Sequence, residues 1–340
     1  MISAQSHGLL AQAETILDAI EIVQHINTTQ NPLTQEQVTT LRRFAGFGPT
    51  ALYLFDNPVT KKYRTPAWEH LGERLKAMLS PEDYAGARRA VLTAYYTPGM
   101  IIKALFDAFT HLGVPSDIRV LEPACGIGRF IGAASHKMSF TGIEIDNISG
   151  RIAQLLYPGH DIRIEDFRDT NLADGSMDAV IGNFPFSELT LEHWNMRLSL
   201  HEFFLAKSLD KLKPGAILGV IITHYFLDRQ DPTVRQRIAQ QADLLGAIRL
   251  PSGALDGTKV VADVLLMKKR APGVPAQHVD ASWLATAPLM IEGVAVPVSR
   301  YFHEHPEMVL GTWSRANRLY GSKTAYSVQT SGALEAPLAT

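Results

Sequence analysis

Three acidic positions and one asparagine, each at the end of a short apolar run, are the residues best placed to do chemistry. The first acid lies in Val120-Leu-Glu-Pro-Ala-Cys-Gly-Ile-Gly-Arg-Phe130, where an apolar run ends at Glu122 and a Gly-x-Gly turn leads into a helix. Glycines let the backbone pass close to a ligand and take φ values that other residues avoid. A dinucleotide-binding loop adds a third glycine to cradle a pyrophosphate. This loop lacks it and sets an acid beside the turn instead. Glu122, Pro123, Ala124, Gly126 and Gly128 therefore suit a phosphate-free ligand with cationic groups. S-adenosyl-L-methionine, with its ammonium, carboxylate and sulfonium, is such a ligand. In Thr141-Gly-Ile-Glu-Ile-Asp146 a carboxylate closes the next run, where it can bind ribose hydroxyls. Glu144, followed by Ile145, is preferred there, and Asp146 is the alternative. Ile164-Glu-Asp-Phe167 joins an acid, Asp166, to an aromatic, Phe167, a pair that could accept the hydrogens of a cofactor adenine and pack on its ring. The fourth run ends in Asn183-Phe184-Pro185-Phe186, at the strand edge where α/β sheets bind ligands.

These positions need elements to hold them. From about Ala94 the chain alternates short apolar runs with helical segments: Ile118–Leu121, Phe140–Ile143, Ile162–Ile164, Ala179–Ile181 and Ile217–Ile222. Such alternation predicts βαβ units and a parallel sheet with helices on both faces. Two later runs, Leu244–Leu250 and Val260–Met267, have no helix between them and read as an antiparallel pair at the sheet edge. Residues 1 to 90 read as helical: Leu10, Ile16, Leu17, Ile20 and Val23 recur at helical spacing, Thr34 can cap a second helix, and Pro81 can open another. The Pro/Gly-rich stretch Ala271–Pro275 reads as a linker. The expected organisation is a helical region over 1–90, an α/β cofactor-binding domain over 91–270 and an extension over 271–340.

Composition narrows the class. Hydrophobic residues at 46% and charged residues at 19% suit a globular protein with a buried core. A net charge of −2 argues against DNA held by charge alone. One cysteine, Cys125, leaves no disulfide framework within the chain, which fits a reducing cytoplasm. The apolar stretch Ala216–Thr223 is far too short for a bilayer, which takes about 20 residues, so no membrane role is expected.

Taken in order, Tyr95-Tyr96-Thr97-Pro98, Glu122 to Gly128, Glu144 to Asp146, Asp166-Phe167 and Asn183 to Phe186 resemble the gamma-type N6-adenine DNA methyltransferases. Gly215 through Arg270, with Ile222-Thr-His-Tyr225 and Gly246 to Gly253, and His303 to Gly311 resemble one subgroup, the methylase modules of large phage and plasmid helicase–methyltransferases. The resemblance covers residues 40 to 340. It implies a class I (Rossmann-like) α/β fold: a seven-stranded, mostly parallel sheet with an antiparallel last strand. It also implies transfer of a methyl from S-adenosyl-L-methionine to the N6 amine of an adenine flipped out of DNA, in modification or (anti)restriction. Asn183 and the Phe184 carbonyl would accept the amine hydrogens, Pro185 would stiffen the loop, and Phe186 would stack on the base. Asn183, Tyr96 and Thr97 would also face the cofactor. The family's tetrapeptide carries proline where Phe184 stands, so the loop is a variant. A helicase or target-recognition partner, in the same or another chain, is implied, as is membership of a larger polypeptide.

Other readings stay open beside this one. The same loop logic serves N-methyltransferases acting on RNA or on a protein glutamine, and a non-catalytic cofactor- or DNA-binding module is a third reading. Cys125 reads as a small residue packed under the loop, which argues against cytosine-C5 chemistry. His303, Glu304 and His305 read as a solvated loop ahead of a metal site. His201-Glu-Phe-Phe204 reads as the start of a helix packed on the sheet. Arg42-Arg43, Lys61-Lys62-Tyr-Arg64 and Arg88-Arg89 read equally as phosphate contacts or a solvated face.

Overall fold

In the run that ends at Glu122, Val120 packs into one apolar cluster and Leu121 into another. The same split separates Ala179 and Ile181 from Val180, and Ile221 from Val220 and Ile222. Successive strand residues point to opposite faces, so these runs form a sheet covered on both sides. A computed structural model describes residues 4–90, 96–187, 189–256, 258–277, 281–316 and 323–330. The sheet has seven strands: β1 (Arg119–Glu122), β2 (Ser139–Glu144), β3 (Asp161–Ile164), β4 (Met177–Asn183), β5 (Leu212–Thr223), β6 (Ala242–Arg249) and β7 (Ala262–Lys269). Their order is β3-β2-β1-β4-β5-β7-β6. Every neighbouring pair is parallel except those made by β7, which runs antiparallel to β5 and β6. This is the class I (Rossmann-like) methyltransferase sheet that the motifs led us to expect.

The expected antiparallel pair closes one edge of the sheet, with β6 outermost and β7 inserted between β5 and β6. The cause is burial. Ala262, Asp263, Val264 and Leu265 are consecutive and all buried, and a strand covered on both faces and both sides belongs inside a sheet.

The N-terminal region is helical as expected: α1 (Ala4–Thr29), α2 (Gln35–Arg42), α3 (Ala51–Leu54), α4 (Pro66–Met78) and α5 (Pro81–Ala90). Thr34 caps α2 reciprocally. The Gln37 N–H donates to Thr34 Oγ1 at 3.2 Å, and the Thr34 N–H donates to Gln37 Oε1 at 2.9 Å. Leu17, Phe44, Trp68 and Leu71 from this region share a core with Ile148 and Ile152 of a helix following β2 (Asn147–Leu156). That packing sets the N-terminal helices beside the carboxyl ends of the strands.

Beyond the linker lie two hairpins, Thr286–Ile291 with Val294–Ser299 and Thr312–Ser314 with Ser327–Gln329. Val298 and Val328 of these strands, with Trp283 and Phe302 of the segments flanking the first pair, enter the same core as the sheet. A buried ionic cluster pins them there. The Arg249 guanidinium, fully buried, donates to Asp263 at 2.8 Å, Asp228 at 2.9 Å and the Tyr326 hydroxyl at 2.6 Å. Tyr326 in turn donates to Asp228 at 2.5 Å, and the Phe302 ring lies 4.1 Å from the guanidinium carbon. Among the described residues no helix is long and apolar enough to cross a membrane.

Candidate active site

Strand order reverses between β1 and β4, and the carboxyl ends on either side of that switch open into a cavity of about 800 Å³. Ligands of open α/β sheets bind at such a switch, and the volume suits a cofactor-sized molecule. Four strands meet there: β1 brings Glu122, β2 Glu144, β3 Ile164 and β4 Asn183. All the described residues expected at the site line this cavity except Gly128 and Phe186. Tyr95 lies outside the described residues.

Gly128 serves the turn itself. Its φ is +79°, and a Cβ there would meet the Tyr157 ring at 2.7 Å, so only glycine fits. Gly126, at φ +55°, faces the cavity, and its N–H donates to Glu144 Oε2 at 2.8 Å. Between the two glycines and the sheet, Cys125 is buried against Gly142, and burial pushes its thiol pKa up, so it packs as the sequence suggested.

The two glutamates expected to face a cofactor, Glu122 and Glu144, are buried acids. Glu122 is 2% exposed, and its Oε2 has no hydrogen-bond partner among the described residues. Burial, reinforced by the charge of Glu144, raises its pKa well above the usual carboxylate range. Glu144 accepts the N–H groups of Gly126 and Asp146, the latter at 2.7 Å. Burial and the Asp146 charge outweigh those bonds and push its pKa up to about 7. Asp146 itself accepts the Ser149 N–H at 2.9 Å and the Ser149 hydroxyl at 2.7 Å, as the N-cap of the following helix. The runner-up for ribose is thus engaged through one oxygen as a helix cap, and Glu144 accepts a backbone N–H on each of its oxygens; both acids line the cavity. Ile145, 67% exposed, is an apolar side chain at the cavity wall. Asp166 is held by Arg168 Nε at 2.7 Å, and Arg168 keeps its pKa low despite burial. Phe167 is buried beside Phe204, with ring centroids 5.0 Å apart.

In the Asn183–Phe186 loop the residue that departs from the family's tetrapeptide has a structural reason. The Phe184 N–H donates to the Ile221 carbonyl at 3.0 Å, extending the β4–β5 pairing by one residue. Its ring is 1% exposed and packs on Phe204 at 5.8 Å. A proline could do neither, having no N–H and a smaller ring. Asn183 and Pro185 line the cavity. Phe186 is half-buried and packs against the apolar cluster that holds Ile181 and Ile221, away from the cavity lining.

Several wall residues escaped sequence reasoning. Gly46 and Phe47, from the loop after α2, and Ser80, Glu82 and Asp83, at a predicted helix start, close the cavity from the N-terminal side. Asp83 accepts a bond from Asn147 Nδ2 at 2.7 Å, joining that wall to the helix after β2. Nothing in their local pattern says which element they will face. Of the basic groups, Arg88 is engaged with Asp56 at 2.8 Å and Arg64 with the Tyr53 ring at 4.4 Å; the Arg89 side chain lies outside the described residues. His201 to Phe204 do begin a helix (Leu200–Lys211) buried on the sheet. His303 and Glu304 end the short helix Arg300–Glu304, and His305 faces Glu307 at 3.4 Å.

The chain is 32% identical over 202 residues to "Defense against restriction protein B" of Escherichia phage P1, covering 55% of this chain and 9% of that protein. It is 27% identical over 198 residues to "Type II methyltransferase M.CvrRI" of Paramecium bursaria Chlorella virus XZ-6E, covering 54% and 50%. The chain thus spans half or less of either relative. A type I restriction-modification methyltransferase subunit from Streptococcus thermophilus superposes with a TM-score of 0.46 at 14% identity, covering 79% of this chain and 80% of the other. The model of the N-6 DNA Methylase family matches residues 79–284, more than half of the sequence, and the chain belongs to that family.

Proposed function

We propose that this chain transfers a methyl group from S-adenosyl-L-methionine to the N6 amine of an adenine flipped out of DNA. One observation carries the reading: Asn183 opens into the same cavity as the buried, unpartnered carboxyl oxygen of Glu122. A lone buried carboxyl is costly unless a cation meets it, and an acid-rich, phosphate-free cavity fits a cofactor with ammonium and sulfonium groups. When bound, S-adenosyl-L-methionine would supply a methyl made electrophilic by the sulfonium, with the neutral thioether of S-adenosylhomocysteine as the leaving group.

The chain's own residues would do the rest. Glu144 accepts ribose hydroxyls. Ile145 and Phe167 offer apolar surface to the cofactor adenine, and Asp166 accepts from its amine. Tyr96, Thr97 and the Pro123–Gly126 turn enclose the amino-acid end. Asn183 accepts one hydrogen of the target amine and the Phe184 carbonyl the other, which favours a pyramidal, nucleophilic nitrogen. The Phe184 N–H bond to Ile221 and the ring of Pro185 fix that carbonyl in advance, so no reorganisation is needed at reaction. Extracting the base costs roughly a few kcal/mol, which contacts in the loop must return. Phe186 would supply base stacking only by turning from its half-buried position.

Arg88 is paired with Asp56, whereas Arg42, Arg43, Lys61, Lys62 and Arg64 are exposed; with a net charge of −2, we assign the main hold on DNA to a recognition or helicase partner in the same or another chain. The names of the relatives support a role in phage or plasmid modification or (anti)restriction. The test is methyl transfer from tritiated S-adenosyl-L-methionine to unmethylated plasmid DNA, with nucleoside analysis. N6-methyladenine is expected, and Asn183→Ala should abolish it while S-adenosylhomocysteine still binds. Label in RNA or in a protein glutamine, with none in DNA, would move the assignment to those substrates. Loss of cofactor binding in Asn183→Ala would count against the role given to that residue.

A further inference from the structure

Carboxylates outnumber cations around the cavity, and among the described residues only Arg129 and Arg168 line it with a basic side chain. They are used differently. Arg168 is committed to Asp166, with Nε and Nη2 at 2.7 and 2.5 Å from one oxygen. Among the described residues Arg129 makes only long polar contacts: Asp256 Oδ2 at 3.5 Å and the Thr97 carbonyl at 3.4 Å. Charge-assisted bonds of a guanidinium are normally about 2.7–2.9 Å, so neither contact satisfies it. Meanwhile the guanidinium carbon lies 4.5 Å from the Tyr96 ring centroid, a cation–π contact that holds the fork against the ring. Such a fork, held in place but poorly partnered, suits a carboxylate, which it can grip through two parallel bonds.

We infer that Arg129 is the anchor for the carboxylate at the amino-acid end of the cofactor. This rests on reading the cavity as an S-adenosyl-L-methionine site, and it adds to that reading the residue that distinguishes an amino-acid cofactor from a plain nucleoside. Glu122 and Arg129 flank the glycine turn in sequence, one acid and one base, as an ammonium and a carboxylate on one carbon require. Asp256 then acts as the placeholder that steadies Arg129 in the free protein. It is the exposed member of the pair, its side chain 62% accessible, so exchanging it for a ligand carboxylate leaves no buried charge behind.

Calorimetry on the full chain can decide, using S-adenosylhomocysteine and its decarboxylated analogue, which keeps the amine and lacks only the carboxylate. The unaltered protein should prefer S-adenosylhomocysteine by roughly 10- to 100-fold, the worth of a charge-assisted pair. In Arg129→Gln that preference should collapse to about twofold or less, through weaker S-adenosylhomocysteine and unchanged analogue binding. Arg129→Lys, which keeps the charge and loses the fork, should retain part of it and serves alone if the glutamine variant does not fold. Equal weakening of both ligands would make Arg129 a structural prop and overturn the inference, as would no preference in the unaltered protein. Failure of the unaltered protein to bind either ligand would instead bring down the cofactor-site reading, and the inference with it.

Discussion

Replacing Phe184 with proline restores the tetrapeptide usual in the family, and the structure says that here it should do harm. The ring of Phe184 is 1% exposed and packs on Phe204, which in turn meets Phe167 at 5.0 Å. Removing a buried phenylalanine ring costs about 3–5 kcal/mol, and a pyrrolidine refills only part of the space. The variant also deletes the N–H that donates to the Ile221 carbonyl at 3.0 Å, about 1 kcal/mol more. Proline's restriction of the unfolded chain does not compensate where the native N–H was bonded. We expect a net loss of about 3–5 kcal/mol. Phe184→Leu keeps the N–H and most of the volume, and should lose less than about 1.5 kcal/mol. It should also keep methyl transfer within a few-fold, because the acceptor proposed at this position is a backbone carbonyl. Urea unfolding, read from midpoints at a common slope, measures the stabilities, and plasmid methylation measures the activity. A proline variant as stable as the unaltered protein would refute the reasoning, for then neither the ring nor the N–H contributes at this position.

Acidification should weaken cofactor binding in a defined window. Burial raises the pKa of Glu144 to about 7 and drives Glu122 well above its ordinary range, so the free protein takes up protons that a cationic ligand must displace. S-adenosyl-L-methionine affinity should therefore fall as pH drops below about 7, by up to about tenfold per unit for one proton. The inflection belongs to the interacting pair, and calorimetry from pH 6 to 8.5 should find it displaced in Glu144→Gln; a flat profile would contradict the assignment of these acids. The same raised pKa has a stability consequence of opposite sign. Between the unfolded value near 4.5 and the folded value near 7, the ligand-free protein binds the extra proton, so Glu144 opposes folding increasingly as pH rises through that window. Bound S-adenosylhomocysteine should flatten that part of the thermal-melting profile. Arg249→Met should cost about 3–5 kcal/mol in urea unfolding, because Asp228 and Asp263 are left buried without their cation. Asp263→Asn in the same background should recover part of the loss.

Much of the site was legible in the chain because each residue sits at a punctuation mark that is local. An apolar run followed by an acid and two glycines can be recognised wherever it falls, and so can a run that stops at Asn183. The strand runs were legible for the same reason, since alternate burial on a covered sheet demands near-continuous apolar residues. What adjacent residues cannot say is which distant element arrives beside them. The order of β6 and β7, the closure of the cavity by Gly46, Phe47 and Asp83, and the turning of Phe186 into the core were decided by packing between segments far apart in sequence. The departure at Phe184 shows the division most clearly. In the sequence it is only a missing proline. In the fold it is a strand hydrogen bond and a filled core, because the partners that give it meaning, Ile221 and Phe204, lie on a neighbouring strand and a covering helix. The sequence by itself determined the chemistry at each strand end. Only the tertiary structure decided which of those ends face one another, because burial is satisfied by the whole sheet at once and not by any run alone.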